Sequence, residues 1–473
     1  MQLPPGLVTG SNDRGLPQRH LLMSTTSPPS PPSPQSLLTP PPITSYIRLE
    51  GVDSSGNDLF VMYGASIAQM KAACSAVPEC EGFNSDGWVK SRISQKKRST
   101  IDLYLKQVVT AELPSQVLGD SGAGAFRNLL EEYSNMEHNL KIFIYPTTVG
   151  GDMPSYVDYK YGVEYLFISL LSGSRFKTQD PSEATFFFLP SRCTAYRKSV
   201  IDLQEGIQVA GQTMRRMVYD VSHRYPYWNA SLGMDHFYVC AHDMGTEMAQ
   251  LADPALWKNS IGLVNTADAS EPSYVPHKDI SVPPHPGRGK VDWALIGQGG
   301  ATFDPARRKK LAFLAGEGSR GVRPLIFSLF KSDPDFNLVS GYLSDEDYQH
   351  ALKTSKFCLC PRGNKAWSPR LMDALWFGCI PVLIADHYIP PLTDLLDWEN
   401  FSVVVPESQV KELKKILRAI PEARQEEMRR SILQVYPHLT WNDQPHPYDA
   451  FHSTLFTLWT KRHTFRTRPR PVN

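Results

Sequence analysis

The chain has 473 residues, of which 41% are apolar and 21% charged, enough for two or three domains with sizeable cores. Its 49 basic and 48 acidic side chains leave a formal charge of +1, a balance that argues against a nucleic-acid partner. Seven cysteines are too few for a disulfide scaffold, and no CxxC pair suggests zinc. The spacing of Cys74 and Cys80 suits a small disulfide loop in an oxidising compartment, whereas Cys358, Cys360 and Cys379 read as buried small hydrophobes. Two sequons, Asn229-Ala230-Ser231 and Asn400-Phe401-Ser402, hint at secretion. No run approaches the roughly 20 apolar residues of a membrane span. The start, MQLPPGLVTGSNDRG, lacks the apolar core of a signal peptide, so we expect a soluble protein or a reading frame that begins further upstream.

In chain order, residues 1–44 form a Pro/Ser-rich leader with SPPSPPSP, too proline-dense to build a core and expected to be a disordered, extended spacer. Residues 45–110 contain CSAVPECEGFNSDGWVK and end in IDLYLK. The order Cys, Cys, Gly-Phe-Asn, Gly-Trp and a final strand resembles a small PAN/apple-type module. From Leu140 the texture changes. KIFIY, ATFFFLP, DHFYVCAHD and SIGLVNT are strand patterns, while YGVEYLFISLLSG and the stretch from about Lys198 to His223 have helical spacing. The proline-rich VPPHPGRGK (Val282 to Lys290) connects to a second series, KKLAFLAG, FCLC, IPVLIA and FSVVV, again separated by helical segments. Strands alternating with helices predict an α/β fold of two doubly wound parallel-sheet domains, 138–288 and 289–462, facing a cleft, with a basic tail at 463–473. A ligand would sit in that cleft, at the carboxyl ends of the strands.

The stretch FCLCPRGNKAWSPRLMDALWFGCIPVLIAD reads as strand, loop, helix and strand. Pro361, Arg362 and Gly363 leave the first strand, Ser368 suits a helix N-cap and Pro369 the first helical position. Free amides and a positive dipole end there favour an anion, and Arg362 and Arg370 add charges that can pair with phosphate. Asp373, three residues after Arg370 on the same helix face, would accept hydrogen bonds from sugar hydroxyls. Together these features describe a nucleotide-sugar site; the competing reading is a surface Arg370–Asp373 ion pair.

The segment CPRGNKAWSPRLMDALWFGCIPVLIADHYIPPLTDLLDWENFSVVVPE closely resembles the C-terminal signature of the exostosin family of glycosyltransferases. YGVEYLF, SRFKTQDPSEATFFFLP, MDHFYVCAHDMG and KDISVP match upstream in the family's order, so the resemblance covers roughly Leu140 to Trp459. It implies a GT-B fold of two Rossmann-like domains, the second holding the nucleotide sugar. It also implies inverting transfer from a UDP-sugar donor to a glycan hydroxyl in the Golgi lumen, with association to the membrane or to a partner glycosyltransferase. Many members carry glutamate where this chain has Asp373, so a ribose contact here would need a closer approach.

Arg320 and Arg323, in the loop after KKLAFLAG, are further phosphate candidates, Arg323 the better placed at a helix start. His242 and Asp243 follow the strand DHFYVCA and are candidates for the base that takes the acceptor proton. Asp235 and His236, at its other end, read as structural. Two Asp-x-Asp patterns, Asp333-Pro334-Asp335 and Asp345-Glu346-Asp347, read as a proline turn and a helix start, so we expect neither metal nor cofactor beyond the donor. A catalytically inactive, carbohydrate-binding relative is the alternative. A phosphate-binding hydrolase is disfavoured, since neither a G-x-S-x-G elbow nor a P-loop occurs.

Overall fold

The computed structural model describes residues 43–464 except 50–51, 55–57, 63–65, 77–79, 92–95, 99, 101, 110–122, 147–148, 150–158 and 286–304. The leader up to residue 42, the tail from residue 465 and most of the proline-rich connection lie outside the described residues.

Residues 43–109 form an antiparallel unit of strands β1 (Ile43–Leu49), β2 (Val52–Ser54), β3 (Asp58–Val61), β4 (Gly82–Asn84), β5 (Trp88–Lys90), β6 (Lys96–Arg98) and β7 (Leu103–Val109). The main sheet runs β1-β7-β4-β5-β3, and β2 pairs with β6. Helix Ile67–Ala76 places Met70 and Cys74 on Phe83 and Val89, and a Cys74–Cys80 disulfide closes its end.

The first parallel sheet contains β8 (Ile142–Ile144), β9 (Lys177–Thr178), β10 (Phe186–Leu189), β11 (His236–Cys240), β12 (Ile261–Val264) and β13 (Ile280–Ser281). Its order is β13-β12-β11-β10-β8-β9, with every pair parallel. The central strands FFFL, HFYVC and IGLV are buried throughout, which explains their continuous apolar runs. Helix Leu203–Arg224 covers one face. Asp202 caps it by accepting from the Glu205 amide, so the helix begins there rather than near Lys198, and Cys193–Lys198 forms a separate short helix.

The other face is covered by helix Val163–Gly173 and, from the far end of the chain, by helix Ala450–Thr460. Every residue of AFHSTLFTLW in the latter is buried, so it needs core on all sides. It finds that core among Phe167, Phe176 and Tyr133 of the first domain. The division at 289–462 is thereby corrected: the chain returns to the first domain, which also recruits helix Ala123–Asn139 ahead of residue 138.

The second parallel sheet has the order β15-β14-β16-β17-β18, from β14 (Lys310–Gly316), β15 (Phe336–Ser340), β16 (Ser355–Pro361), β17 (Ile380–Ile384) and β18 (Val403–Val404). Two parallel sheets wrapped by helices give the expected GT-B arrangement of Rossmann-like domains. The cysteine expectation needs correcting. Cys358 and Cys379 are paired across adjacent β16 and the turn into β17, and Cys193 is paired with Cys240, leaving Cys360 as a buried thiol. The domains are stitched by backbone bonds, Ala269 amide to His387 carbonyl at 2.9 Å, Ile389 to Ala267 at 2.8 Å and Leu392 to Ser281 at 2.9 Å.

Candidate functional site

The loop after β16 does two jobs. Three of its side chains reach across to the first domain. Arg362 donates through Nη1 to Asp268 at 2.7 Å, through Nε to Glu407 at 2.8 Å and through Nη2 to the Asp386 carbonyl. Lys365 pairs with Glu247 at 2.6 Å and Glu271 at 3.1 Å, and the Trp367 indole donates to Asp243 at 2.9 Å. Asp268 is fully buried; burial pushes its carboxyl up, but hydrogen bonds from Ser270 and Arg362 hold it below the usual range. All three guanidinium nitrogens of Arg362, expected to meet phosphate, donate to protein oxygens, and Asp268 makes the residue a tie between domains.

The phosphate-type charge is concentrated elsewhere. Arg323 opens helix Arg323–Phe330, and Arg370 opens helix Arg370–Trp376. A Cβ on Gly363 would lie 2.7 Å from Arg323 Nη2, so the guanidinium occupies space that a side chain at that position would make it leave. Gly321, at φ +56°, brings the loop after β14 against the carbonyls of Arg362 and Gly363, where a Cβ would stand 2.4 Å from the first of these oxygens. Arg370 Nη2 donates to the Ala315 carbonyl at the end of β14, and Arg323 Nη1 donates to the Glu317 carbonyl at 3.3 Å. The Nε atoms of both Arg323 and Arg370 are buried without a hydrogen-bond partner. Burial, and the Arg370 charge beside it, push Arg323 down to about 10. Two guanidinium groups partly removed from water and repelling each other are costly unless an anion joins them.

The remaining nucleotide-site candidates fall differently. Arg320 is exposed, with Glu317 at 3.9 Å as its ion-pair partner among the described residues. The Ser368 hydroxyl accepts from the Arg370 amide at 3.3 Å, but the helix starts at Arg370, with Pro369 in the cap position, so the expected Ser368 cap and Pro369 start shift by one residue. Asp373 is buried and accepts the Tyr348 hydroxyl at 2.9 Å. The whole helix is buried, Arg370 and Asp373 included, so this is not the exposed surface pair of the competing reading. Burial, with the Asp373 charge, pushes Tyr348 well above its ordinary value, keeping it a donor.

On the first domain, β11 ends at Cys240 and the chain turns through Ala241, His242 and Asp243. Glu164 anchors that turn from below. Its carboxylate accepts from the Ala241 amide at 2.8 Å, the Thr194 amide at 3.0 Å and the Thr194 hydroxyl at 2.9 Å, while burial pushes it up to about 7. His242 packs on the Tyr161 ring, 4.8 Å between centroids, and its Nδ1 accepts from the Met244 amide at 3.1 Å. That bond assigns the neutral ring proton to Nε2. Burial pushes His242 down to about 4, against the pull of Asp243. Asp243 is partly open and pairs with Lys160 at 3.1 Å as well as Trp367. At the other end of β11, His236 lies between Asp235 at 2.7 Å and the Tyr145 hydroxyl at 2.8 Å, a closed, buried network that fits the structural reading.

Sequence reasoning missed Lys365, Trp367, Asp268, Glu247 and Lys160. Lys365 and Trp367 stood inside the quoted loop, but nothing in their spacing marks them as contacts to the other domain. Asp333 and Asp335 lie ahead of β15, at its amino end, and are taken by Lys414 and Arg418. Asp347 is capped by Ser344, its amide 3.1 Å from the hydroxyl. Among the described residues, the cluster of metal-ligand types is Glu164 with Cys193 and Cys240, and those cysteines form a disulfide. No described helix is long and apolar enough to cross a membrane.

Residues 136–420 match the exostosin GT47 domain. A "Probable glycosyltransferase" of Arabidopsis thaliana is 34% identical over 343 residues, which span 71% of this chain and 64% of that protein. A second Arabidopsis protein with the same description is 33% identical over 395 residues, covering 80% of this chain and 82% of its own length. Among solved structures, the Anabaena protein HepE, crystallised with UDP-glucose, shares 9% identity, with a TM-score of 0.32 over 68% of this chain and 98% of that one, too distant to add to the topology. The chain belongs to the exostosin GT47 family of glycosyltransferases.

Proposed function

We propose that this glycosyltransferase transfers a sugar from a UDP-sugar to a glycan hydroxyl with inversion, and that Arg323 and Arg370 hold the diphosphate. The observation that carries the reading is the pair of buried, partnerless Nε atoms on two adjacent arginines at the carboxyl ends of β14 and β16. Gly363 leaves room for the Arg323 guanidinium, and the two positive charges offset the leaving diphosphate, so no divalent cation is needed.

Asp243 is the base in this reading. His242 Nδ1 is already used as an acceptor and Nε2 carries the proton, so neither ring nitrogen is free to take one. Asp243 stands on the acceptor domain and is tied by Trp367 to the loop that carries Arg370. It removes the proton as the acceptor oxygen attacks the anomeric carbon, the bond from that carbon to the diphosphate oxygen breaks on the opposite face, and UDP leaves. Three disulfides, one in each folded unit, support work in an oxidising lumen such as the Golgi, with the membrane or a partner enzyme retaining the chain there.

The test is a UDP titration of the wild type and of Arg370→Gln by calorimetry, in EDTA. Saturable binding in the first and loss of about tenfold or more in a folded second is expected. Equal UDP affinity in the two proteins overturns the assignment.

A further inference from the structure

The reaction scheme leaves one buried titratable group without a task. Glu164 stands in the first turn of helix Val163–Gly173, buried against the carboxyl end of β11. Its oxygens accept from the Ala241 amide at 2.8 Å, the Thr194 hydroxyl at 2.9 Å and the Thr194 amide at 3.0 Å. Thr194 and Ala241 each directly follow a cysteine, and those two cysteines, Cys193 and Cys240, are joined to each other. A Glu164 carboxylate oxygen and the two sulfurs lie within 4.8 Å of one another. One covalent and one polar tie therefore hold the same two segments, the start of helix Cys193–Lys198 and the end of β11.

Packing alone would be served by an apolar side chain. Here two amides and a hydroxyl all donate, and a carboxylate meets them with acceptors on both oxygens. A glutamine of the same shape would set its own N–H2 against one of the donors. Keeping a carboxylate there is costly, since burial pushes it up to about 7. Two residues beyond Ala241 stands Asp243. The turn that carries it is closed by the Gly245 amide on the His242 carbonyl at 2.9 Å, and a Cβ on Gly245 would stand 2.6 Å from the Cys240 carbonyl oxygen. Lys160 and Trp367 hold the Asp243 side chain, whereas Glu164 holds the backbone that leads into it. We infer that Glu164 is a positioning residue for Asp243, its carboxylate fixing the turn at Ala241 so that the base meets the acceptor hydroxyl in line with the donor. This deepens the reading of Asp243 as the base and rests on it.

The experiment is a double-variant cycle on the full chain at alkaline pH, where Glu164 is ionised: wild type, Glu164→Gln, Asp243→Asn and the pair. Turnover is read as UDP released from UDP-glucose, UDP-galactose, UDP-xylose or UDP-glucuronate. Glu164→Gln should lower kcat by about 10²-fold, the scale of a misplacement of about 1 Å, with donor KM and UDP affinity within about twofold of wild type. In the Asp243→Asn background the same substitution should cost less than about threefold, because a misplaced base and an absent one are equivalent. Losses that multiply in the pair overturn the inference, since a residue needed only for folding lowers the active fraction in both backgrounds. Thr194→Val removes one bond to Glu164, should give a smaller loss of the same kind, and replaces Glu164→Gln if that chain does not fold. A second readout needs no substrate. Isotope-labelled tryptophan gives the Trp367 indole N–H resonance, assigned by its disappearance in Trp367→Phe. Glu164→Gln should move that resonance in the direction in which Asp243→Asn moves it, and an unmoved indole in the folded variant overturns the inference. Near-normal turnover of Asp243→Asn alone sinks the base reading separately, because the indole still reports whether Glu164 sets Asp243.

Discussion

The carboxylate of Asp243 accepts a hydrogen bond from the indole of Trp367 at 2.9 Å, and the two residues belong to different domains. This one contact joins the candidate base to the loop that leads, three residues later, into Arg370. It makes the proton-accepting group sensitive to how the two halves of the cleft meet.

Asp243→Asn should lower turnover by about 10²–10⁴-fold with UDP affinity nearly intact. Trp367→Phe keeps the ring but loses the donor, and should cost about 1 kcal/mol of stability with a smaller loss of turnover. His242→Gln should retain most turnover. Near-normal activity of Asp243→Asn, by steady-state kinetics on any accepted donor, would move the base elsewhere.

The pH response separates His242 from a catalytic role. With a folded value near 4 and an unfolded value near 6.5, the unfolded chain binds the extra proton between those pH values. The His242 contribution to stability is therefore present above pH 6.5 and is lost as pH falls towards 4. Chemical denaturation between pH 4 and 7 should show a shallower acid loss in His242→Gln than in wild type. Identical slopes would mean that the imidazole titrates normally in the fold.

UDP should raise the melting temperature of the wild type, because it binds the folded chain and relieves the repulsion between Arg323 and Arg370. Arg323→Gln and Arg370→Gln should each remove most of that increase. An unchanged UDP-induced shift in both would place the diphosphate elsewhere. EDTA should leave turnover intact; a loss that Mn²⁺ restores would refute the arginine-based account of the leaving group.

Arg362→Ala should behave as a fold mutation. It strands the buried Asp268 carboxylate, which costs about 3–5 kcal/mol, and Asp268→Asn in the same chain should recover part of that loss. Since the Asp268 value is depressed in the fold, the pair's contribution is present above the unfolded carboxyl range and disappears as pH falls through the folded value. Urea titrations of the single and double variants measure the coupling. A large loss of UDP affinity in Arg362→Ala at unchanged stability would return Arg362 to the phosphate.

A lumenal location predicts an N-glycan on Asn229, which is exposed in helix Pro226–Ser231. Asn400 is half-buried and bonded to Asp397, with Ser402 buried behind it, and should remain bare. Peptide N-glycosidase should shift the protein isolated from its own cells by one glycan, and Asn229→Gln should abolish the shift. A cytosolic protein with no shift would count against the Golgi reading.

The alternation of wholly apolar strands with amphipathic helices was enough to determine two parallel α/β units, because a strand buried on both faces needs an unbroken apolar run. The exostosin signature likewise located the loop after β16, and Gly363 and Arg370 with it. Local pattern has no access to partners far along the chain. Arg362 carries the same chemistry whether it meets phosphate or Asp268, and only the stitching of residues 267–269 to 387–389 brings that carboxylate within 2.7 Å. Arg323 became the stronger phosphate candidate because Gly321 and Gly363 allow two loops from different strands to touch. His242 and Asp243, adjacent in sequence and alike in promise, were separated by a backbone amide on one and an indole from the other domain on the second. Helix Ala450–Thr460 shows the same limit: its all-round burial was written in its residues, but which core it fills was decided by the chain's return across the cleft, where the open face of the first sheet had apolar surface left to cover.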